Sequence, residues 1–294
     1  MTRAEVRGTL RHVGGVAGVA WHFGRPGWSV AETSRGDREV GNDWCDVLLT
    51  ADGDDVLLLG EVEPDRFDDL VAALARTGAD VTLHAEGREA TVTDESRAAG
   101  EAAKRERFER DLAALVGLRV LDVTYRDVAY EGAPDPDWDR GDWHHAVMGV
   151  ELTTDGGVVS LTSTDTFFAY GVEMSRGPLD LSQDGTRGWS AGDHAEWRAR
   201  RDPVRGVATR WERVELGPGR TSDGTVATPG RAYDVPHAVR LDFEAGPVWF
   251  VAAMPEPDGS RPPFVGGDEV MVVFGAERMR EMGFGDGTFV APLA

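Results

Sequence analysis

Apolar and polar positions alternate through residues 1–95 in a way that predicts an N-terminal α+β domain. Two apolar runs, 47–49 and 56–59, flank an Asp-Gly pair, which suits the positive φ values of a tight hairpin turn. Apolar residues then recur with helical spacing across 67–74, and a further apolar run at 81–83 predicts a returning strand. The pattern therefore predicts strand, turn, strand, helix and strand in one layered unit.

Residues 96–116 predict a connecting helix, because charged side chains occupy most of its surface. Its apolar face is confined to the C-terminal end, at Phe108, Leu112 and Leu115. A mostly solvated helix between two regions of different pattern is typical of a domain boundary. We therefore expect the first domain to end near residue 95.

The second domain, 117–294, is predicted to be β-rich, with an internal repeat that relates 117–165 to 206–254. At a constant offset of 89 residues, the segment VELTTDGGVVSL corresponds to VRLDFEAGPVWF, and both have the pattern of a β-hairpin. The fold class is then α+β, with two similar antiparallel β layers packed as a sandwich or joined in one curved sheet.

Residues 117–275 resemble a group of uncharacterised actinomycete proteins. The resemblance lies in a strand opened by glycine, a hairpin of the form PHAVRLDFEAGPVWFVAA and a closing DEVMVVF segment. No activity is established for that group, so the resemblance implies no functional residues. Immunity proteins of polymorphic toxin systems are similar in type only, being small, acidic and mixed α/β.

The chain is strongly acidic, with 52 Asp and Glu residues against 31 Lys and Arg residues and a formal net charge of −21. Nucleic acid repels such a chain unless a basic strip intervenes, and the best basic cluster, 104–110, is interrupted by two glutamates. Nucleic acid is therefore excluded from the predicted ligands. The acidity either serves solubility or forms a surface complementary to a basic protein partner.

Six carboxylates in the acidic stretch 43–69 are candidates for an acidic face. A hairpin followed by a helix is expected to direct many of them to one side, as a solvated surface or as a docking surface. These candidates are Asp52, Asp54, Asp55, Asp65, Asp68 and Asp69.

Two sequence features predict a cytoplasmic protein without membrane contact. No run of about 18 apolar residues occurs, and the N-terminal segment lacks the apolar core and cleavage site of a secretory signal. A single cysteine, Cys45, excludes an internal disulfide and a thiolate zinc site. The sequence predicts no oligomeric state.

The segment 131–145, EGAPDPDWDRGDWHH, is the densest group of polar residues. Its alternating aspartates resemble the start of a calcium loop, but arginine and alanine occupy the positions that need glycine and glutamate. His144 and His145 could instead hold a transition metal together with these carboxylates. Adjacent strand residues point to opposite faces, so the simpler interpretation is a loop tip packed by Trp138 and Trp143. We therefore predict neither a metal ion nor a cofactor.

His237 lies in a PHAV segment that echoes HHAV at 144–147. If the two segments converge, His145 and His237 could form a two-histidine site with Asp142 or Asp234.

The sequence contains no nucleophile elbow, phosphate-binding loop, dinucleotide turn or HExxH helix. Four tryptophans lie in or beside loops, where aromatic residues either anchor protein interfaces or pack beneath the loops. They are Trp138, Trp143, Trp189 and Trp197.

The leading hypothesis is a non-enzymatic acidic protein that binds a basic protein partner, as a toxin-neutralising immunity protein does. The alternative is a metal-assisted hydrolase, or a module that binds carbohydrate or another small ligand, built from loops 130–145 and 233–237. No catalytic residue is predicted. The candidate binding residues are Trp138, Trp143, His144, His145, Trp189, Trp197 and His237.

Overall fold

The computed structural model describes residues 3–23, 28–128, 138–164, 167, 171–179, 186–222, 224, 226–255 and 263–292. Strands predominate in this part of the chain and form antiparallel sheets, as the sequence predicts. None of the helices described has both the length and the apolar content needed to cross a bilayer.

The strands are numbered in chain order. They are β1 (Ala4–Arg11), β2 (Ser29–Glu32), β3 (Arg38–Asn42), β4 (Cys45–Asp52), β5 (Asp55–Val62), β6 (Asp80–Ala85), β7 (Arg88–Val92), β8 (Val120–Val128), β9 (Trp143–His145), β10 (Gly149–Thr154), β11 (Gly157–Thr164), β12 (Gly171–Arg176), β13 (Thr186–Ser190), β14 (Gly206–Leu216), β15 (Gly219–Arg220), β16 (Val226–Thr228), β17 (Arg231–Asp242), β18 (Val248–Met254) and β19 (Phe264–Val273). The helices are α1 (Gly15–Trp21), α2 (Phe67–Ala75), α3 (Asp94–Ala113), α4 (Ala195–Arg198) and α5 (Ala276–Glu281), with 3-10 turns at Pro64–Arg66 and Asp286–Thr288.

The chain divides into two compact units. The first contains the residues up to Ala102 together with Glu215–Ala232, and the second contains Ala103–Val214 together with the residues from Tyr233 onward. The predicted boundaries near 95 and 117 concern which segments fold independently, and compactness does not test this. They therefore stay a prediction.

The first unit is built on a seven-stranded antiparallel sheet in the order β2-β3-β4-β5-β1-β6-β7. Helices α1 and α2 pack against one face of it, and alternate strand residues contribute to the same apolar core. The predicted hairpin is present, with Asp52 opposite Asp55 and Gly53 at φ 63° in the turn. Helix α2 buries Phe67, Leu70 and Leu74, the stripe that its spacing predicts.

Cys45 lies in this core and is fully buried. Burial raises the pKa of its thiol to about 12, with the neighbouring Asp46 carboxylate acting in the same direction. The thiol therefore stays protonated and serves packing.

The second unit contains two five-stranded antiparallel sheets, in the orders β12-β11-β10-β8-β13 and β14-β17-β18-β19-β9. Side chains from both sheets, with Phe108 and Leu112 of α3, form one apolar core. The central hairpins of the two sheets pair at corresponding positions, 89 residues apart. The pairs are Val150 with Leu161 and Leu152 with Val159 in one sheet, and Val239 with Phe250 and Leu241 with Val248 in the other.

Candidate metal centre

A tight hairpin brings Asp139 and His144 opposite each other at the start of β9. The His145 amide donates to the Trp138 carbonyl at 2.8 Å, and Gly141 occupies the turn at φ 87°. The Gly141 amide also donates to Oδ1 of Asp139 at 2.8 Å. The turn thus fixes the carboxylate beside the imidazole.

His194 completes the group from the segment between β13 and α4. It precedes the first residue of α4, and its Nδ1 accepts the Glu196 amide at 3.4 Å. Its Nε2 lies 3.1 Å from Oδ2 of Asp139, and the rings of His144 and His194 are 4.4 Å apart between centroids. One ligand atom from each of Asp139, His144 and His194 lies within 4.8 Å of the other two.

His144 has an imidazole nitrogen without a partner. The side chain is completely buried, its Nε2 makes no hydrogen bond, and that atom lies 3.8 Å from Oδ1 of Asp139. A buried polar atom without a partner is uncommon in folded proteins, so its orientation toward Asp139 and His194 needs a reason. Burial, and then the charge of His194, lower the pKa of His144 to about 3, so the ring is neutral at physiological pH.

Two aromatic side chains, Tyr125 and Trp197, support the other side of this ring through hydrogen bonds. The Tyr125 hydroxyl on β8 lies 2.6 Å from Nδ1 of His144 and accepts the indole N–H of Trp197 at 2.7 Å. Burial raises the pKa of Tyr125, so the phenol stays neutral. The two successive contacts, Trp197 with Tyr125 and Tyr125 with His144, hold the imidazole in place.

The group is dry on one side and open on the other. The rings of Trp138 and Phe274 lie 4.8 and 4.7 Å from the His144 ring, which they shield from water. The side chain of Asp139 is 46% exposed and that of His194 is 24% exposed. A small ligand can therefore approach from the Asp139 and His194 side.

The Asp139 carboxylate is held in its ionised form. The Gly141 amide lowers the pKa of this carboxyl, while burial opposes it, and a positive charge on His194 or His144 would lower it further. The ionised Asp139 and the neutral His144 are in the protonation state that a metal ion requires of its ligands. His194, whose Nδ1 accepts the Glu196 amide, carries a proton on Nε2 that an ion would have to displace.

These donors fit a transition metal of the zinc class. Imidazole and carboxylate ligands about 2.1 Å from a tetrahedral ion lie about 3.4 Å from each other. The 3.1 Å distance to His194 is from Oδ2 of Asp139 and the 3.8 Å distance to His144 is from Oδ1, so an ion bound by one of these oxygens would draw the side chains closer together. Within the described part of the chain, no fourth His, Cys, Asp or Glu side chain joins the group.

The structure places the other predicted histidines elsewhere. His145 points to the opposite face of β9 from His144, and its Nε2 lies 2.8 Å from Oε2 of Glu269. His237 lies on β17, separated from β9 by β18 and β19. The register Ala238–Val251–Met271–His145 puts His145 on the face that His237 does not share. His145 and His237 therefore do not converge.

The four candidate tryptophans have different environments. Trp197 is 1% exposed, and its indole N–H donates to the Tyr125 hydroxyl within the core. It is therefore too buried to contact a protein partner. Trp143 packs against the apolar cluster around Trp249 and Met271. Trp138 packs against His144. Trp189 on β13 is half-buried and lies directly opposite Tyr125 on β8.

The six candidate carboxylates fall into two groups at opposite ends of β5. Asp52, Asp54 and Asp55 lie at the hairpin turn, whereas Asp65, Asp68 and Asp69 lie where α2 begins, about 25 Å along the strand. Three of them form ion pairs with arginine. These pairs are Asp55 with Arg11, Asp68 with Arg88 and Asp69 with Arg66.

Sequence reasoning missed His194 and Tyr125. The Arg-Gly-Asp segment between Asp139 and Trp143 indicates a turn beside His144. The residues around His194 show no pattern that indicates a role for it. Residues 130–137 of the candidate loop, including the aspartates of the rejected calcium loop, lie outside the described residues.

Comparisons with known proteins give no relative for this site. No protein-family model matches the chain, no curated protein matches it, and no solved structure matches its fold.

Proposed function

We propose that the protein binds a divalent transition-metal ion of the zinc class through Asp139, His144 and His194. The observation that carries the proposal is the buried Nε2 of His144, which has no hydrogen-bond partner and lies beside the other two donors. A metal ion would give that atom the partner that burial has removed.

Three protein ligands with one open side are typical of metal sites that bind water or substrate. An ion held there would acidify a bound water, which is the chemistry of metal-assisted hydrolysis. We therefore extend the proposal to a metal-assisted hydrolase in which loop 130–145 contributes Asp139 and His144. His194, and not loop 233–237, supplies the third ligand.

Calorimetric titration of metal-free protein with Zn²⁺ tests the metal site. We expect one ion per chain, with affinity at least about 10-fold weaker in Asp139→Asn and His194→Ala, because each removes one ligand. His145→Ala is the matched control, since that histidine is on the other face of the same strand, and it should bind as the wild type does. Equal affinity in His194→Ala and wild type would refute the site.

The acidity of the chain supports a second candidate function. We also propose that this is a cytoplasmic protein that binds a basic protein partner, as a toxin-neutralising immunity protein does. The support is the net charge of −21, together with exposed carboxylates such as Asp52, Asp54 and Asp65, which form no ion pair with another described residue. Binding driven by charge should weaken as salt rises. A pull-down at low and high salt tests this, and a partner indifferent to salt would count against it.

An internal duplication remains our proposal for the origin of the second unit. The support is the identical pairing of its two central hairpins at an offset of 89 residues.

A further inference from the structure

A cleft of about 640 Å³ opens beside the turn between β3 and β4 in the first unit. Its lining includes two half-buried tryptophans, Trp28 and Trp44. The volume lies within the range of about 300–1,000 Å³ that is usual for small-ligand sites, which combine aromatic walls with a few polar groups. The lining contains none of the three ligands of the proposed metal site, so this tryptophan cleft is a separate candidate site.

The two indole rings of the tryptophan cleft form a corner. Their centroids are 5.2 Å apart, and their planes are inclined by 77° to each other. The Trp28 ring also contacts Phe23, at 4.7 Å between centroids, and both indoles pack against the apolar core of the unit. Packing therefore holds the rings in place while they still contribute surface to the cleft.

The backbone that presents Trp44 is fixed by hydrogen bonds. Oδ1 of Asn42 accepts the amide of Trp44 at 3.1 Å and the amide of Cys45 at 2.9 Å. The Glu63 amide donates to the Trp44 carbonyl oxygen at 2.9 Å. A turn closed by an asparagine side chain in this way is locally determined. Because Trp44 is already ordered, a ligand that packs on it pays little conformational entropy.

Polar groups without partners lie on the wall of the tryptophan cleft. Among the residues that the structure describes, neither the Trp28 nor the Trp44 indole N–H has a hydrogen-bond partner, and neither is sealed from solvent. The exposed Asp46 carboxylate also lines the cleft and forms no ion pair with another described residue. The wall thus offers hydrogen-bond donors and an acceptor beside aromatic carbon.

The charges that line the tryptophan cleft have both signs. The Arg3 guanidinium donates to the Asp43 carbonyl oxygen at 2.9 Å, and the side chains of Asp43 and Asp46 are carboxylates. A cationic ligand would lie near the arginine, and an anionic ligand would lie near the two carboxylates. Because like charges in contact are costly, the lining favours a neutral ligand.

We propose that the tryptophan cleft binds a neutral carbohydrate. The apolar C–H face of a sugar ring packs on an indole, and its hydroxyl groups accept hydrogen bonds from the indole N–H groups and donate to Asp46. The fixed aromatic corner, with free donors and a free acceptor beside it, carries this choice. The site is independent of the proposed metal site and of the proposed basic partner.

An array of immobilised neutral, sulfated and sialylated oligosaccharides, probed with the labelled protein, tests the proposal. We expect the wild type to bind neutral oligosaccharides, and to bind them equally at low and high salt, because no charge is neutralised in the complex. Calorimetric titration with the neutral oligosaccharide that binds best on the array then gives its dissociation constant.

Two variants of the cleft and one control make the test specific. Trp44→Ala should weaken binding of that oligosaccharide at least about 10-fold, because an aromatic packing surface is lost. Asp46→Ala, at an exposed position, should weaken it about 5-fold through one lost hydrogen bond. Trp21→Ala is the matched control, since Trp21 belongs to the same unit, is 48% exposed and does not line the cleft. Urea unfolding shows whether each variant is folded, and Asp46→Ala decides the test if Trp44→Ala is not.

Three results would overturn the proposal. They are wild-type protein that binds no neutral oligosaccharide, binding confined to sulfated or sialylated oligosaccharides, and equal affinity in the wild type and the folded cleft variants. Tetramethylammonium that binds in calorimetry when no oligosaccharide does would assign the cleft to an organic cation instead. None of these results bears on Zn²⁺ binding by the other unit.

Discussion

The Tyr125 hydroxyl lies 2.6 Å from Nδ1 of His144, on the opposite edge of the imidazole from Asp139 and His194. This contact bears on which ring nitrogen carries the proton. A hydroxyl that accepts a hydrogen bond from Nδ1–H leaves the lone pair on Nε2, where a metal ion needs it.

The first prediction concerns this hydroxyl. Tyr125→Phe should weaken Zn²⁺ binding by about 10–100-fold, because the ring loses the acceptor that fixes its tautomer. Calorimetric titration measures the change, and Trp189→Phe on the neighbouring strand is the control. Tighter binding by Tyr125→Phe would show the reverse, namely that the hydroxyl donates to Nδ1 and keeps His144 in the tautomer that cannot bind metal.

A second prediction follows from the origin of the ligands. His144 lies on β9 of one sheet, and His194 follows β13 of the other. An ion shared between them would join the two sheets, so Zn²⁺ should stabilise the folded state. At a free concentration 100 times the dissociation constant, linkage gives about 2.7 kcal/mol.

Thermal unfolding with Zn²⁺ and with a chelator measures this stabilisation. The melting temperature should rise with Zn²⁺ in the wild type and stay unchanged in His194→Ala. A rise of the same size in both proteins would mean that the ion binds elsewhere.

The sequence indicates His144 as a candidate binding residue but no metal site there, and the residues that it misses have a physical cause. Asp139 and His144 come together through a local turn, which an Asp-Arg-Gly-Asp segment indicates. His194 is 50 residues further along the chain, and only the packing of two sheets brings it near. The local pattern puts His144 and His145 on opposite faces of a strand, but it does not indicate which of them is buried at the site and which contacts Glu269.

In the fold, too, the sequence predicts the features that neighbouring residues determine and misses those that depend on contacts between distant residues. The hairpin around Gly53 and the apolar stripe of α2 follow from neighbouring residues, and the structure contains both. Neighbouring residues do not predict that Glu215–Ala232 belongs to the first unit. Contacts between residues far apart in sequence join it to that unit, among them that of the His22 imidazole, 3.2 Å from the Ala227 carbonyl oxygen.

The third prediction concerns pH and His12, which is 6% exposed in the first unit. Its Nε2 lies 3.1 Å from the Thr77 carbonyl oxygen, and its Nδ1 accepts the Gly14 amide, so the neutral ring satisfies both groups. Burial lowers the pKa of His12 below its usual 6.5, and the charge of Arg231 adds to this, while the Thr77 and Ala227 carbonyls oppose it. The His22 ring packs against it at 6.3 Å.

The unfolded chain therefore binds this proton more readily than the folded protein does. Stability should be full above about pH 6.5 and should fall on acidification below that value, by up to about 1.4 kcal/mol per pH unit for one proton. Urea unfolding at pH 7, 6 and 5 measures the slope. His12→Gln should reduce it, whereas His84→Gln, at a more exposed position on β6, should not. An unchanged slope in His12→Gln would show that other groups account for the loss.

The last prediction tests the strand register with two glycines. An added Cβ at Gly60 would lie 2.1 Å from the Asp46 carbonyl oxygen and 2.6 Å from Cα of Val47, both backbone atoms of a neighbouring strand. Gly60→Ala should therefore lower the free energy of unfolding by about 3 kcal/mol, as expected when a packed core is overfilled. Gly100, within α3, has no such neighbour within 4 Å, so Gly100→Ala should raise stability by about 1 kcal/mol. Urea unfolding of both variants measures two effects of opposite sign. A Gly60→Ala variant as stable as the wild type would contradict the pairing of Gly60 with Val47, and with it the register of β4 against β5.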